Sequence, residues 1–209
     1  MMEEIKKTKL SGQKFRGEYV EEERFEDLIL EDVSVSDCEF VACRFVRCSF
    51  TRCSLTRCLL SECTFVDCYV AELKTQYSDV KFAELEDCVL LGVNWGLLNT
   101  ESSFGTALSK IQNCKLKYNT FSQMSFRRFS LSGSSIERSS YMDCDLQEAD
   151  LRGCDLTDTE FFRCDLKKAD FRQASGYRID IRTCPMKDAR FSFPEVTDLL
   201  YSLDIRIDR

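Results

Sequence analysis

The stretch CDLQE-ADLRG-CDLTD-TEFFR-CDLKK-ADFRQ, residues 144–173, divides into six five-residue units, each centred on Leu or Phe: Leu146, Leu151, Leu156, Phe161, Leu166 and Phe171. A five-residue period belongs neither to an α-helix, with about 3.6 residues per turn, nor to an alternating strand. Stepping outward by five extends the series of centres (position i) from Ile111 to Phe191. After a one-residue change of phase it continues from Trp95 back to Leu10. Of the 35 centres only Thr75 and Gly176 are not apolar or aromatic, whereas a chain that is 44% hydrophobic would place about fifteen there by chance.

A short period repeated along a whole chain marks a solenoid, whose units bury their apolar side chains only by stacking. Five residues suffice for one side of a coil, with i pointing inward. The charges at i+2 count the sides, because outward charges stacked on successive coils should alternate in sign. At a spacing of twenty, Asp27 faces Arg47 and Arg47 faces Asp67; Asp32 faces Arg52 and Asp37 faces Arg57. Arg128, Glu148, Lys168 and Asp188 form a second alternating column, Arg138, Asp158 and Arg178 a third, and Asp143 faces Arg163. Twenty residues therefore make one turn of a four-sided coil.

These quintets resemble the A(D/N)Lxx units of the pentapeptide-repeat family over residues 10 to 191. The resemblance implies an all-β solenoid, a right-handed quadrilateral β-helix, here of about nine coils. At about 4.8 Å per rung that is a rod roughly 43 Å long. In that family i−2 is a second inward position that favours a small residue, as Ala149, Ala169, Ala174 and Ala189 do here.

The thirteen cysteines all fall at i−2: Cys38, Cys43, Cys48, Cys53, Cys58, Cys63 and Cys68 in succession, then Cys88, Cys114, Cys144, Cys154, Cys164 and Cys184. A thiol is a small buried hydrophobe that fits this slot. The placement favours packing over a zinc site, which would draw on histidine, and the chain has none. An odd set of cysteines in a chain whose start, MMEEIKKTK, is too charged for a secretory signal reads as reduced thiols of a cytoplasmic protein. No apolar run reaches a membrane span.

The pattern reads as a single domain: 1–9 an N-terminal cap, 10–95 a first block, 96–110 a phase break or loop, 111–191 a second block, and 192–209 a C-terminal segment. Within the first block, the polar Thr75 predicts an irregular side, and Trp95 is too large for a regular inward slot. In the second, Gly176 and Ile181 are the centres that follow Phe171. At the end, Ser192 and Glu195 read as a capping box with Pro194 in the first turn of a helix. Val196, Leu199, Leu200 and Leu203 would share its apolar face, followed by a final strand with Ile205 and Ile207.

Seven carboxylates at i−1, Asp145, Asp150, Asp155, Glu160, Asp165, Asp170 and Asp180, could be taken for acid/base pairs. As the D of each unit they read instead as hydrogen-bonding the backbone at the corners. Without histidine, an activated nucleophile or a phosphate-binding loop, the residues point to binding, with no cofactor and no metal. Residues 1 to 100 carry nineteen acids and twelve bases, and the rest seventeen of each, so the net charge of −7 lies in the first half. It is densest in EYVEEERFEDLILED, 18 to 32. Such a surface does not neutralise phosphates, so direct nucleic-acid binding is not expected, nor is membrane binding.

Resemblance to the Qnr-like and McbG-like members of the family implies an acidic homodimeric rod that imitates DNA and binds DNA gyrase or topoisomerase IV. On that reading Glu21, Glu22, Glu23, Asp27 and Asp32 form the acidic contact and Glu101, Ser102, Ser103, Phe104 and Gly105 a loop contact. Val196, Leu199, Leu200 and Leu203 form the dimer interface. The alternative from the same residues is a structural or adaptor rod that binds another protein through a flat side, since fold alone does not choose a partner.

Overall fold

The computed structural model describes residues 9–98, 107–203 and 205 of the 209. The strands Lys9–Ser11, Lys14–Arg16, Tyr19–Glu21 and Arg24–Glu26 form the four sides of the first coil, and Ile29–Glu31 returns to stack in parallel on Lys9–Ser11. The register is twenty residues on every wall: Leu10 pairs with Leu30, Phe15 with Val35, Val20 with Phe40 and Phe25 with Phe45. The wall that begins with Lys9–Ser11 carries nine rungs, which makes about eight turns rather than nine.

Nearly every quintet closes with a left-handed residue at i+2; Leu97, Arg178 and Thr183 are exceptions. At the non-glycine corners φ lies between +48° and +62°. That conformation costs an L-residue roughly 1–2 kcal/mol. It is held because the corner N–H still joins the ladder: Asp27 N–H donates to Val46 O at 3.0 Å and Arg47 N–H to Val66 O at 2.9 Å. The position where charges stack is thus also the position that turns the chain.

One coil is longer. Leu85 pairs with Ile111 and Leu90 with Leu116, a spacing of 26, so six residues are inserted between them. The chain rejoins through a bulge at Ser109, whose Oγ donates to Phe82 O at 3.0 Å. Trp95, expected to be too large for the interior, is buried there. It opens a 3₁₀ turn, Trp95–Leu97, in which the Asn94 side chain accepts from Gly96 N–H at 3.0 Å. The indole lies flat on Phe121 with centroids 6.1 Å apart, and Nε1 donates to Asn119 Oδ1 at 3.3 Å. The column continues through Tyr141 and Phe161, at 4.6 Å and 5.0 Å. A large flat ring suits a column of rings. Thr75 also departs from expectation: its strand is regular, with Leu55 opposite Thr75.

In the second block two adjacent walls are built from β-turns instead of strands. Ala149 N–H donates to Leu146 O and Ala169 N–H to Leu166 O, both at 3.1 Å, and Cys154 N–H donates to Leu151 O at 3.2 Å. The i−1 aspartates serve these corners as expected. Asp145 accepts from Gln147 N–H at 3.0 Å, Asp150 from Arg152 N–H at 3.1 Å and Asp165 from Lys167 N–H at 3.1 Å. Turns draw these walls inward, and the centres Phe121, Leu131, Ile136, Tyr141, Leu146 and Leu166 have no exposed surface. Tyr141 is buried with a hydroxyl that has no partner. Tyr141→Phe should therefore raise the free energy of unfolding by about 1 kcal/mol, measured in urea.

The expected centres Gly176 and Ile181 are not the buried ones; Tyr177 and Ile179 are, each 2% exposed. Asp155 pairs with Ser175, but Thr159 pairs with Tyr177 and Phe161 with Ile179, so the coil shortens by two residues at a bulge. Phe171 pairs with Phe191 at the regular spacing, so the two residues are restored before the chain reaches Phe191.

The C-terminal helix is a 3₁₀ helix, Glu195–Leu203, and not an α-helix. Ser192 does not cap it: its hydroxyl accepts from Gln173 N–H of the coil beneath at 3.0 Å, while Val196 N–H bonds the Ser192 carbonyl. With three residues per turn, Val196 and Leu199 line up on one edge and Leu200 and Leu203 on another. Leu199 packs on the core, Val196 and Leu200 are half-buried, and Leu203 is exposed. Ile205 is exposed and outside any strand, and Ile207 lies outside the described residues.

Candidate partner-binding surface

The outward charges meet across the twenty-residue turn, though mostly as pairs: among the described residues no ion pair joins Arg47 to Asp67, or Lys168 to Glu148 or Asp188. Arg47 grips Asp27 with both ends of its guanidinium, at 2.7 and 2.9 Å, and Arg163 grips Asp143 at 2.7 and 2.8 Å. Arg52 holds Asp32 at 2.9 Å, and Arg57 holds Asp37 at 2.6 Å. Arg128 pairs with Glu148 at 3.1 Å, and Asp158 lies between Arg138 and Arg178. Fork-on-carboxylate geometry is the strongest form of surface pair.

These pairs change the acidic surface expected from sequence. Asp27 and Asp32 are neutralised by Arg47 and Arg52. Glu23 is not beside Glu21 and Glu22: it takes the second inward position, half-buried, in the column that Cys43 and Cys63 continue, with its carbonyl accepting from Arg44 N–H. Glu21 and Glu22 are exposed, Glu21 on a flat side and Glu22 at the next corner. Glu101, Ser102, Ser103, Phe104 and Gly105 lie outside the described residues.

The guanidinium beside each of Asp27, Asp32, Asp37 and Asp143 holds that carboxyl below its ordinary range. Asp150, Asp170 and Asp180 are depressed in the same way by Arg152, Arg172 and Arg182. A depressed folded value means stability that is present above the unfolded aspartate value, about 3.9, and lost as pH falls through the folded values. The urea midpoint should hold steady above about pH 5 and fall below about pH 4. Because the pairs are exposed, 1 M salt should shrink the change. A midpoint that rises on acidification would contradict the ladders.

All thirteen cysteines are free and buried. Most of their thiols donate to carbonyls of the coil below, Cys43 to Val20 O at 3.5 Å and Cys154 to Leu131 O at 2.9 Å, while Cys38 and Cys114 donate to the carbonyl two residues earlier. Burial pushes the Cys63 and Cys154 thiols up to about 12, whereas a hydrogen bond with the Cys68 thiol brings Cys48 down to about 7; Cys48 is 1% exposed, so lack of access is what shields the set from a reagent. Native protein should therefore label slowly with a thiol reagent and release its thiols together on unfolding. Among the described residues no group of three His, Cys, Asp or Glu side chains could hold a metal ion.

Sequence reasoning missed one surface feature. Tyr77 and Phe82 occupy left-handed corners, 77% and 50% exposed, and Leu97 is 57% exposed. Tyr77 and Leu97 are twenty residues apart, and Phe82 bonds Ser109 just past the insertion, so the three frame that insertion. The signal was available: they hold i+2 slots that elsewhere mostly carry charged or small polar residues or glycine.

Residues 29–69 and 142–175 match the family of pentapeptide repeats, in eight copies. Among solved structures, the chain is similar to full-length QnrB1, a plasmid-mediated fluoroquinolone resistance protein. The identity is 18% over 95% of this chain and 100% of that one, with a TM-score of 0.54. A trypsin-treated form of the same protein matches at 17% identity over 94% of this chain and 100% of that chain, with a TM-score of 0.50. No curated protein matches the chain by sequence. At this identity the likeness is one of fold. No helix among the described residues is long and apolar enough to cross a membrane.

Proposed function

This pentapeptide-repeat protein is, we propose, a non-catalytic rod that binds another protein in the cytoplasm, with DNA gyrase or topoisomerase IV as the first partner to test. The observation that carries the protein-binding reading is the exposure of Tyr77, Phe82 and Leu97 beside the long coil; Tyr19, Tyr69 and Tyr118 are exposed elsewhere along the rod, but only these three frame the insertion. Exposed aromatic side chains are the usual anchors of protein contacts. The residues Glu101 to Gly105 would add to the same contact. Glu21 and Glu22 supply acidity on the first coils, suited to a basic groove made for DNA. With a homodimer formed through Val196, Leu199, Leu200 and Leu203, those coils would lie at the two far ends of the rod.

Gyrase supercoiling, at low salt and with and without a fluoroquinolone, tests the partner. Inhibition, or relief of the drug, should be lost in Glu21→Lys/Glu22→Lys if acidity makes the contact. It should be lost in Tyr77→Ser/Phe82→Ser if the aromatic cluster does. The pairing of Asp27 and Asp32 with arginine favours the second outcome and keeps the adaptor reading alive. No effect of the wild-type protein on either enzyme removes gyrase and topoisomerase IV as partners. Leu200→Lys/Leu203→Lys should give a monomer by sedimentation, and an unchanged dimer would place the interface elsewhere.

A further inference from the structure

The two blocks are filled differently. In the second, inward centres are sealed. In the first, Val35, Phe40, Phe50, Leu55, Phe65 and Val80 point inward in the same register yet are only half-buried. The surface they keep faces an apolar cavity of about 180 Å³ inside the coils. Its lining runs from Phe15 in the first coil to Trp95 and Leu98 in the fifth. Four rung spacings separate Phe15 from Trp95, roughly 19 Å at about 4.8 Å each, so the space is elongated. Its origin is in the sequence and the walls: four strand-built sides give a wider bore than two strands and two turns, and the centres of the fourth coil, Val70, Thr75, Val80 and Leu85, include no aromatic ring.

An apolar cavity of this scale stays dry and accepts apolar guests. Thr75 adds a chemical preference: it is 4% exposed, lines the cavity, and its Oγ1 has no hydrogen-bond partner. A buried hydroxyl without a partner is costly until something bonds it. Among the described residues no cationic side chain lines the space and the one charged residue is Glu18, so a carboxylate or phosphate would enter without a counter-charge. We propose that the first block binds a neutral, unbranched alkyl molecule with one oxygen, of the medium-chain alcohol class, its chain along the bore and its oxygen on Thr75 Oγ1. This site is independent of the outer surface and of the partner that surface takes.

The test is titration calorimetry of the full chain with 1-octanol and with octanoate, supported by thermal unfolding. One 1-octanol should bind per chain and raise the melting temperature, and octanoate should bind at least tenfold more weakly. Thr75→Val, which keeps the shape, should weaken 1-octanol about fivefold, the effect of one hydrogen bond. Val80→Phe, and separately Val35→Phe, should fill the bore and abolish binding in whichever variant folds by circular dichroism; if neither folds, the octanoate and Thr75→Val comparisons decide. The proposal is overturned if wild-type protein shows no saturable 1-octanol binding. It is equally overturned if octanoate binds as well, if Thr75→Val binds 1-octanol unchanged, or if a folded filling variant keeps wild-type affinity.

Discussion

Phe121→Ala should cost about 3–5 kcal/mol of unfolding free energy, the range for deleting a fully buried ring. Phe121 has no exposed surface, stacks between Trp95 at 6.1 Å and Tyr141 at 4.6 Å, and meets Phe126 edge-on at 5.5 Å. Its neighbours are ring faces held by a 3₁₀ turn on one side and a strand on the other, so the gap cannot close by a side-chain rotation. A solenoid couples each coil only to the next, so the damage should also loosen the coupling between the blocks. Trp95 is the only tryptophan and sits at that junction. Its fluorescence in urea should report a transition separate from that of far-ultraviolet circular dichroism in the variant, and coincident with it in the wild type. A loss below about 1 kcal/mol would contradict the stacked column.

Gly176→Ala should be the next most damaging single change, at about 2–5 kcal/mol. Gly176 has φ +76°, and a Cβ there would stand 2.7 Å from Thr157 Cα and 3.0 Å from Thr157 N. The left-handed conformation contributes roughly 1–2 kcal/mol and the clash a further 1–3 kcal/mol or so, because a backbone strand cannot yield as a flexible side chain does. Gly153→Ala is the control. Gly153 has φ +65° with nothing within 4 Å of its added Cβ, so it should lose only the conformational part. Equal losses in the two variants, by urea midpoint, would show that the close approach to Thr157 has no energetic weight.

The bulge at Gly176 shows where sequence reading stops. The spacing from Phe171 to Phe191 is regular in the sequence and in the structure, yet between them the wall slips by two residues and recovers. A period conserved across a slip leaves no trace in the sequence, so Gly176 and Ile181 read as centres although Tyr177 and Ile179 take the buried places. Glu23 failed for a related reason. It was grouped with Glu21 and Glu22 as an acidic run, although the five-residue frame already puts it in an inward column. The frame was the better guide.

The sequence by itself determined the coil. An apolar residue every fifth position fixes which side chains face inward, and opposite charges every twentieth position fix four sides, because both are local patterns repeated by every turn. The same frame located the cysteines in the interior and the aspartates at the corners. Only the tertiary structure decided how well that interior is filled, which walls become turns, where a large indole is welcome, and that the C-terminal segment winds as a 3₁₀ helix. Those outcomes depend on what lies one rung above and one rung below and on the width left between opposite walls. That width is a sum over many side chains at once, and no single quintet encodes it.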